Sequence, residues 1–537
     1  MIKKELKDEF LSGSGIPVKR VYTREDVAEI DPDRHIGLPG EPPFTRGIYP
    51  GMYRSRLWTI RRYSGHGTPE ETNELYRREV ELGQTGFSIA IDPPTESGLD
   101  SDDYRVAADV GASGVAVDSL LDMELMFDGL PIDKASTAII STIMISPALH
   151  AMYFVMAEKR GLKFEELDGT TQTDIMTSLG CLYLADQIPP RYQMRFGIDL
   201  IEWCIENAPR WHPVSVDSYN YREQGINAVQ ELGLLLATAI SYLEEERKRG
   251  RVSMNDFCRP FTFDMGCHND FFEEIAKFRA GRRMWQTITS ERYGVTDPKA
   301  MQFRFHAQTA GCTHTYQQPL NNLVRIAFQT MACALGGAQS VHANGYDEGI
   351  CLPTEQSMLL SIRTEQLLQL ETNVCNTVDP LGGSYYMEWL TSEVEKRTWE
   401  YIKKIEEMGG IVPALESGWV HREFMVAMEE HEKKVNRGEI PVVGVNCHKV
   451  EEELHDVPLF RPNPRAAELQ VEKINRIKRE RDNARVEKAL KELGDVSQTD
   501  ENVMPAVFEA VRAYATLGEI CNVWRDLYGL WRIPFGG

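Results

Sequence analysis

The sequence is short of closely spaced cysteines, of positive charge and of long apolar runs. Its ten cysteines extend from Cys181 to Cys521, and the closest two, Cys258 and Cys267, are nine residues apart. No CxxC pair is therefore present to bind zinc or to cycle as a dithiol. A reduced, cytoplasmic protein is expected from that usage. With 59 Lys plus Arg against 81 Asp plus Glu, the formal net charge is −22, which argues against a phosphate-backbone footprint and so against nucleic acid as a partner. Any anionic ligand has to be held by local cations. The apolar runs are short: LGLLLATAI at 232–240 cannot span a bilayer, and the opening MIKKELKDEFLSG carries charge where a leader needs an apolar core. Neither a signal peptide nor a membrane segment is expected. GxxxxGK[ST], HExxH, GxSxG and GxGxxG are all missing, which removes support from common hydrolase and dinucleotide chemistries.

What is present is length: 537 residues, 42% hydrophobic and 26% charged, enough for one or two large domains. Residues 1–46, with GLPGEPPFTRG, read as an irregular N-terminal arm. Eight short β-prone runs follow, at 86–92, 114–119, 136–142, 168–174, 212–219, 260–266, 301–308 and 339–345, alternating with helical patterns at 145–161, 192–207, 222–248, 271–293 and 317–336. Eight β-α units predict an α/β fold closed as a parallel (β/α)8 barrel of the TIM type. TPEETNELYRREVELGQ at 68–84 adds a helix before the first run, with Thr68 and Glu71 spaced as a capping box. The barrel is assigned to 47–380, its helical end to 381–450 and a helical C-terminal extension to 451–537. Within these, 439–446 reads as a further strand and 466–493 as one long helix. The basic run from Lys473 to Arg485 is expected to be a solvated face.

Barrel interiors are normally filled by Val, Ile and Leu, yet Ser88, Ala90, Ser141, Thr170, Ser215, Thr262 and Ser340 occupy strand positions here. Either these small residues face an open lumen, or the register is shifted by one and they face the outer helices. Polar residues also recur near the C-terminal ends of the proposed strands, where barrel enzymes place active sites: Asp92, Gln172, Tyr219, Asn220, His306, Gln308, Gln339, Asn344 and Glu348. Each taken alone is as compatible with a structural role.

GIYPGMYRSRLWTIRRYSG (47–65), DVGASGVAVDS (109–119), AGRRMW (280–285), QTAGCTHTYQQPLNNLVR (308–325), GGAQSVHANGYDEG (336–349), DPLGGSYYMEWLT (379–391) and VGVN (443–446) together resemble the catalytic subunit of the methylmalonyl-CoA mutase family. The resemblance implies a barrel that accommodates acyl-CoA along its axis, which gives small lumen residues a purpose. It also implies adenosylcobalamin as cofactor and a radical 1,2-migration of the thioester group, the chemistry belonging to the cofactor and the positioning to the protein. The family's DxHxxG cobalt-ligand motif is absent; His448 and His455 stand in CHKVEE and LHDVPL. The implied protein is the large subunit of a split, hetero-oligomeric enzyme, with no metal ligand of its own and a small cobalamin-binding subunit as partner.

Carried over by position, Tyr49, Met52, Arg56, Thr59 and Arg61 resemble the CoA-contact segment, and Lys299, Arg304 and His306 match positions along the CoA path. An arginine fork suits phosphate oxygens. A surface ion pair is the alternative for Arg56 and Arg61, and a satisfied core histidine for His306. Gln339 matches a polar contact near substrate and cofactor, Asn344 and Glu348 match ribose-holding residues, Tyr63 the aromatic between adenosyl group and substrate, and Gln172 a substrate hydrogen bonder. Tyr219-Asn220 replaces a Tyr-His pair beside the thioester oxygen; Asn can donate a hydrogen bond but cannot act as an acid.

Other departures concern the acyl pocket. The family's carboxylate-binding Arg falls at Leu182, no cation lies between Gln172 and Pro189, and Cys312 replaces a Trp. Relatives acting on hydroxyisobutyryl-CoA have a small aliphatic residue at the Tyr63 position and an Asp near Ala90, which this chain lacks. The implied substrate is a 2-substituted alkyl- or aryl-acyl-CoA other than methylmalonyl-CoA. The alternatives are a methylmalonyl-CoA mutase large subunit, a silent paralogue that binds acyl-CoA or a partner mutase, and a barrel enzyme without cobalamin.

Overall fold

Among the described residues, 5–450 and 457–533 of the computed structural model, nine short strands lie at the centre. They are β1 (Thr59–Ile60), β2 (Gly86–Ile89), β3 (Ser136–Ile139), β4 (Gly169–Thr171), β5 (Trp211–His212), β6 (Val214–Asp217), β7 (Phe261–Cys267), β8 (Arg304–Thr309) and β9 (Ser340–His342). All pair in parallel, as two arcs: β2-β3-β4-β5 and β6-β7-β8-β9-β1. Only Pro213 separates β5 from β6; proline has no N–H to give to a ladder, so 211–217 is one strand with a break. At the other seam Thr85 N–H donates to Ile60 O (3.1 Å), Ser64 N–H to Ser88 O (3.1 Å) and Ala90 N–H to Ser64 O (3.0 Å). The arcs thus meet at both edges, giving the α/β, TIM-type arrangement that the alternation predicts.

The expected run at 114–119 is not a strand. Only Val115 bridges, to Gly67 and Ile91, and the missing place in the ring is filled by Thr59–Ile60. Val115 and Val117 are fully buried in a loop, and buried β-branched residues imitate a strand signal. Residues 439–446 likewise form only a turn with one bridge, Val443 to Cys447.

The stretch 466–493 is two helices, Ala466–Glu480 and Asn483–Ser497, separated where Asp482 caps the second through Arg485 N–H. Its basic run is a solvated face only in part: Arg476, Arg479 and Arg485 are exposed, while the other cations are taken up by the fold. Lys473 pairs with Glu70 (2.8 Å) and Asp122 (3.5 Å), Lys478 with Asp102 (2.8 Å) and Asp100 (3.2 Å), and Arg481 with Glu519. The lysine pairs tie the C-terminal segment to the helices Pro69–Leu82 and Leu120–Met126 and to the loop that follows β2, and the Arg481 pair joins two helices within that segment.

Two cores flank the ring. On the β2–β5 side, helix Ser146–Lys159 is buried at every position from Ser146 to Ala157, joined in one cluster by Trp211, Phe508 and Trp524. Met504–Arg512 and Leu517–Tyr528 supply the last two of these side chains. On the β6–β8 side, Val216, Phe263 and Phe305 pack with Leu235, Phe278 and Leu390. The helix Pro69–Leu82 begins with the expected Thr68–Glu71 capping box. The N-terminal arm buries Ile16 and Phe44, and Arg282 fixes it by donating to Phe44 O (2.9 Å) and Thr45 O (2.8 Å). No helix of the described residues is long and apolar enough to cross a membrane. His455 lies outside the described residues.

Candidate active site

Strand alternation decides what faces the axis. Val214, Val216, Phe261, Met265, Ala307 and Val341 join the outer core, while Ser215, Asp217, Thr262, Asp264, Arg304, His306, Gln308 and Ser340 line an internal lumen. Parallel register stacks the latter in layers: Ser215 beside Thr262 beside Arg304, then Asp217 beside Asp264 beside His306 beside Ser340. All seven small residues at strand positions, from Ser88 to Ser340, face this lumen. They leave open the volume that a Leu or Ile layer would fill.

The lumen has three chambers in line, of about 270, 90 and 270 Å³. Arg61 and His306 border both the lower and the middle chamber; Tyr63 and Gln308 border both the middle and the upper. The lower chamber opens at the N-terminal ends of the strands and is lined by Tyr49, Met52, Arg56, Thr59, Arg61, Arg304 and His306. Arg56, Arg61 and Arg304 have no ion-pair partner among the described residues, whereas neighbouring Arg210 pairs with Asp168 at 3.0 Å. Arg304 is aimed by Gln302 Oε1 (2.5 Å) and by the carbonyls of Arg259 (3.3 Å) and Lys299 (3.4 Å). Lys299 contributes that carbonyl and is not part of the chamber wall. Burial, then the charge of Arg61, holds the His306 imidazole well below its usual range, so it is neutral; Nδ1 is 2.7 Å from Ser340 Oγ.

Gln339 was expected on the cofactor side, but it opens on this lower mouth. Both ends of its amide are occupied by backbone: Oε1 accepts from Phe305 N–H (2.8 Å) and Nε2 donates to Gly337 O (2.8 Å). It braces the β8–β9 edge.

Tyr63 reaches the axis because its neighbours are held outward. Arg62 pairs with Glu79 of the helix Pro69–Leu82 (3.3 Å), and Ser64 Oγ donates to the same carboxylate (2.8 Å). Tyr63 N–H donates to His342 Nδ1 (3.2 Å), and burial pushes the phenol far up, leaving it neutral. Tyr219 and Asn220 begin a short helix, Tyr219–Glu223, after β6. Asp217 orients both, accepting from Tyr219 N–H (2.8 Å) and Asn220 Nδ2 (2.6 Å), and also from Thr177 Oγ1 (2.6 Å). Gln172 and Leu182 line the same middle chamber, Gln172 reaching Thr177 Oγ1 at 3.4 Å.

The middle chamber carries more carboxyl groups than cations. Glu96, Asp217 and Asp264 line it against Arg61 alone. Burial, reinforced by Asp217, pushes Asp264 well above the usual carboxylate range, and burial with repulsion from Asp92 pushes Glu96 to about 8. Behind the wall, Glu231 accepts from Ser218 Oγ (3.0 Å) and Gly266 N–H (3.1 Å), and Lys277 bridges Glu231 (2.7 Å), Glu274 (2.5 Å) and Gly266 O (2.7 Å). This buried clamp fixes the ends of β6 and β7, and with them the Tyr219–Glu223 turn.

In the upper chamber Glu348 is pushed to about 7 by burial and then by Glu223. Asn344 is fully buried behind the wall: its Oδ1 accepts from Nε2 of the wall residue Gln308 (3.1 Å), while its Nδ2 has no partner. A carboxyl in the wall that is raised toward neutrality, with an unpaired amide behind the neighbouring Gln308, suits ligand hydroxyls such as those of a ribose, so these residues fit the adenosyl part of the implied cofactor. Cys312, expected in the acyl pocket, is exposed and outside its wall. The Gly311–Thr313 turn carries it outward, and its N–H donates to Glu223 Oε2 (2.7 Å). Among the described residues no cluster of three or more His, Cys, Asp or Glu is grouped to hold a metal.

Sequence reading missed Glu96, Thr177, Asp217, Glu223 and Asp264. Asp217 and Asp264 were within reach, lying two residues beyond Ser215 and Thr262 on the same strand face. Glu96 and Glu223 sit in turns, where no periodicity reports direction.

The sequence model of the family described as methylmalonyl-CoA mutase matches residues 11–530. The 2-hydroxyisobutanoyl-CoA mutase large subunit of Aquincola tertiaricarbonis is 38% identical over 98% of this chain and 93% of its own length. Methylmalonyl-CoA mutase of Escherichia coli is 37% identical over 97% of this chain but 72% of its own length, and a probable mitochondrial methylmalonyl-CoA mutase of Caenorhabditis elegans is 37% identical over 96% and 68%. The chain therefore belongs to the methylmalonyl-CoA mutase family of cobalamin-dependent acyl-CoA isomerases.

Proposed function

We propose that this chain is the large subunit of an adenosylcobalamin-dependent acyl-CoA carbon-skeleton mutase, cytoplasmic and working with a separate small cobalamin-binding subunit. The observation that carries this reading is the three-chambered lumen, with unpaired arginines at one mouth and hydroxyl-matching groups at the other end. CoA phosphates meet Arg56 and Arg304, the pantetheine chain passes Thr59, Ser215 and Thr262, and the acyl group reaches the middle chamber. Asn220, oriented by Asp217, donates to the thioester oxygen. Tyr63 separates the acyl group from the upper chamber, where Asn344 and Glu348 would hold the ribose. When bound, the cofactor supplies the hydrogen-abstracting radical; this chain orients the substrate and excludes water. A separate cobalt-ligand subunit is supported by the relative named a large subunit, of which this chain covers 93%.

The substrate is a 2-substituted acyl-CoA other than methylmalonyl-CoA. Leu182 provides no charge for a free carboxylate, and burying one unpaired is costly. A compact alkyl group suits the chamber better than an aryl one, since its roughly 90 Å³ is below the ~150 Å³ cavity that admits benzene. Arg61 in the chamber wall favours a second reading, methylmalonyl-CoA mutase, in which it takes the carboxylate.

The test is turnover of a thioester panel by the chain reconstituted with adenosylcobalamin and a small cobalamin-binding subunit. Methylmalonyl-CoA and succinyl-CoA should be poor substrates, and Leu182→Arg with Asn220→His should shift preference toward methylmalonyl-CoA. Fastest turnover of methylmalonyl-CoA by the unaltered enzyme selects the second reading. The chain alone should bind adenosylcobalamin weakly; tight stoichiometric binding would contradict the split-subunit assignment.

A further inference from the structure

Glu96 stands in the wall of the middle chamber and, among the described residues, its carboxyl has no hydrogen-bond or ion-pair partner. Of the other polar groups there, Asn220 and Thr177 are engaged by Asp217, and Gln172 by Thr177; Asp264, which also lacks a side-chain partner, sits on the β7 strand across the chamber, whereas Glu96 is carried by a turn. The backbone that carries Glu96 is fixed on three sides. Asp92 accepts from Thr95 N–H (2.9 Å) and Gly111 N–H (2.8 Å), Thr142 Oγ1 donates to Glu96 O (2.9 Å), and Arg525 donates to Ser97 O (2.5 Å) and Gly98 O (3.0 Å). A polar side chain held this firmly and left without a partner is organised for something that enters the chamber.

We propose that Glu96 is the specificity-determining residue of the acyl chamber and that it recognises a hydroxyl group on the acyl chain of the substrate. The proposal rests on the acyl-CoA mutase reading above and narrows its substrate. A hydrocarbon acyl group would press against an unpaired carboxyl. A free carboxylate would have to give up its own hydration in a buried wall whose one cation is Arg61. A hydroxyl both donates and accepts, and so pairs with the Glu96 carboxyl whether or not it holds its proton; burial keeps that proton on at neutral pH. The discrimination should be strong, because a site built to bond a hydroxyl is left unpaired by the methyl isostere.

Binding to the full chain, measured by titration calorimetry, tests this without catalysis. The probes are 2-hydroxybutyryl-CoA against 2-methylbutyryl-CoA and 3-hydroxybutyryl-CoA against 3-methylbutyryl-CoA, with 3-aminobutyryl-CoA as a cationic control. One hydroxylated thioester should bind at least about tenfold more tightly than its methyl isostere. Glu96→Leu should abolish that preference while keeping or improving affinity for the methyl compounds; Glu96→Gln, whose amide both donates and accepts, should retain most of it. Equal binding within both pairs, a preference that survives Glu96→Leu, or tightest binding of the amino compound would overturn the assignment to a hydroxyl and leave the mutase reading standing. Failure of every thioester to bind would overturn both.

Discussion

The lower mouth of the lumen and the chamber above it are built by alternate residues of the same strands, yet one is lined by cations and the other by carboxyl groups. Arg304 and Thr262 face the mouth; two residues further on, His306 and Asp264 face the middle chamber. The mouth leaves arginines unpaired next to solvent, where an ion keeps its hydration until a phosphate replaces it. The chamber leaves carboxyls unpaired away from solvent, where each holds its proton instead. A single strand thus changes its chemistry along the substrate's length, and the net charge of −22 says nothing about either end.

The largest effect should come from the clamp behind the chamber. Glu231 and Glu274 share two cations, Lys277 and Arg222, the latter at 3.5 and 3.3 Å; Lys277→Met removes the nearer one, and losing one partner of a buried pair costs about 3–5 kcal/mol. A fall in the denaturant midpoint with an unchanged slope would register it; an unchanged midpoint means that Arg222 alone neutralises both. Next is Tyr63→Ala, which merges the middle and upper chambers. It should lower kcat by about a hundredfold, ~2.7 kcal/mol, and change CoA-thioester affinity by less than about threefold. If affinity falls as much as kcat, Tyr63 belongs to the binding path and the partition is wrongly placed.

Arg304→Ala, at the mouth, should reverse that pattern, raising KM about tenfold with kcat nearly constant, as when binding common to ground and transition states is lost. The effect should shrink with added salt. The remaining effect is on the pH dependence of stability. Glu96 is pushed up to about 8, and Glu223 and Glu348 to about 7. The folded chain therefore holds protons that the unfolded chain releases near the ordinary glutamate pKa, about 4.3. Their contribution is fully present below that value and is lost as pH rises through 7 and 8. Melting temperature should fall between pH 5 and 8, and less steeply in Glu96→Gln. An identical slope would place Glu96 in contact with water.

The parts of this design that repeat were legible in the sequence. Seven of eight β-prone runs became strands, and the small residues read from them do face a lumen, because alternation ties chemistry to direction. Thr59–Ile60 was hidden because two paired residues between turns produce no period. Glu96 and Glu223 were hidden for a related reason, since a turn's geometry is set by partners distant in sequence, here Arg525 and Cys312. Gln339 misled because a polar residue beside a strand is as readily taken up by backbone as by ligand.

The helix Ser146–Lys159, buried from Ser146 to Ala157, has a consequence for synthesis. Its outer wall is made by Met504–Arg512 and Leu517–Tyr528. On a ribosome extending the chain at ~5–20 residues per second, that helix emerges roughly 20–70 s before its cover does. Through that interval His150 and the residues on its face of the helix lack Phe508 and its neighbours, so the nascent chain must be shielded or must wait unfolded. A product that stops short of Met504 leaves them exposed for good, and should be recovered in the aggregated fraction rather than as a smaller working barrel.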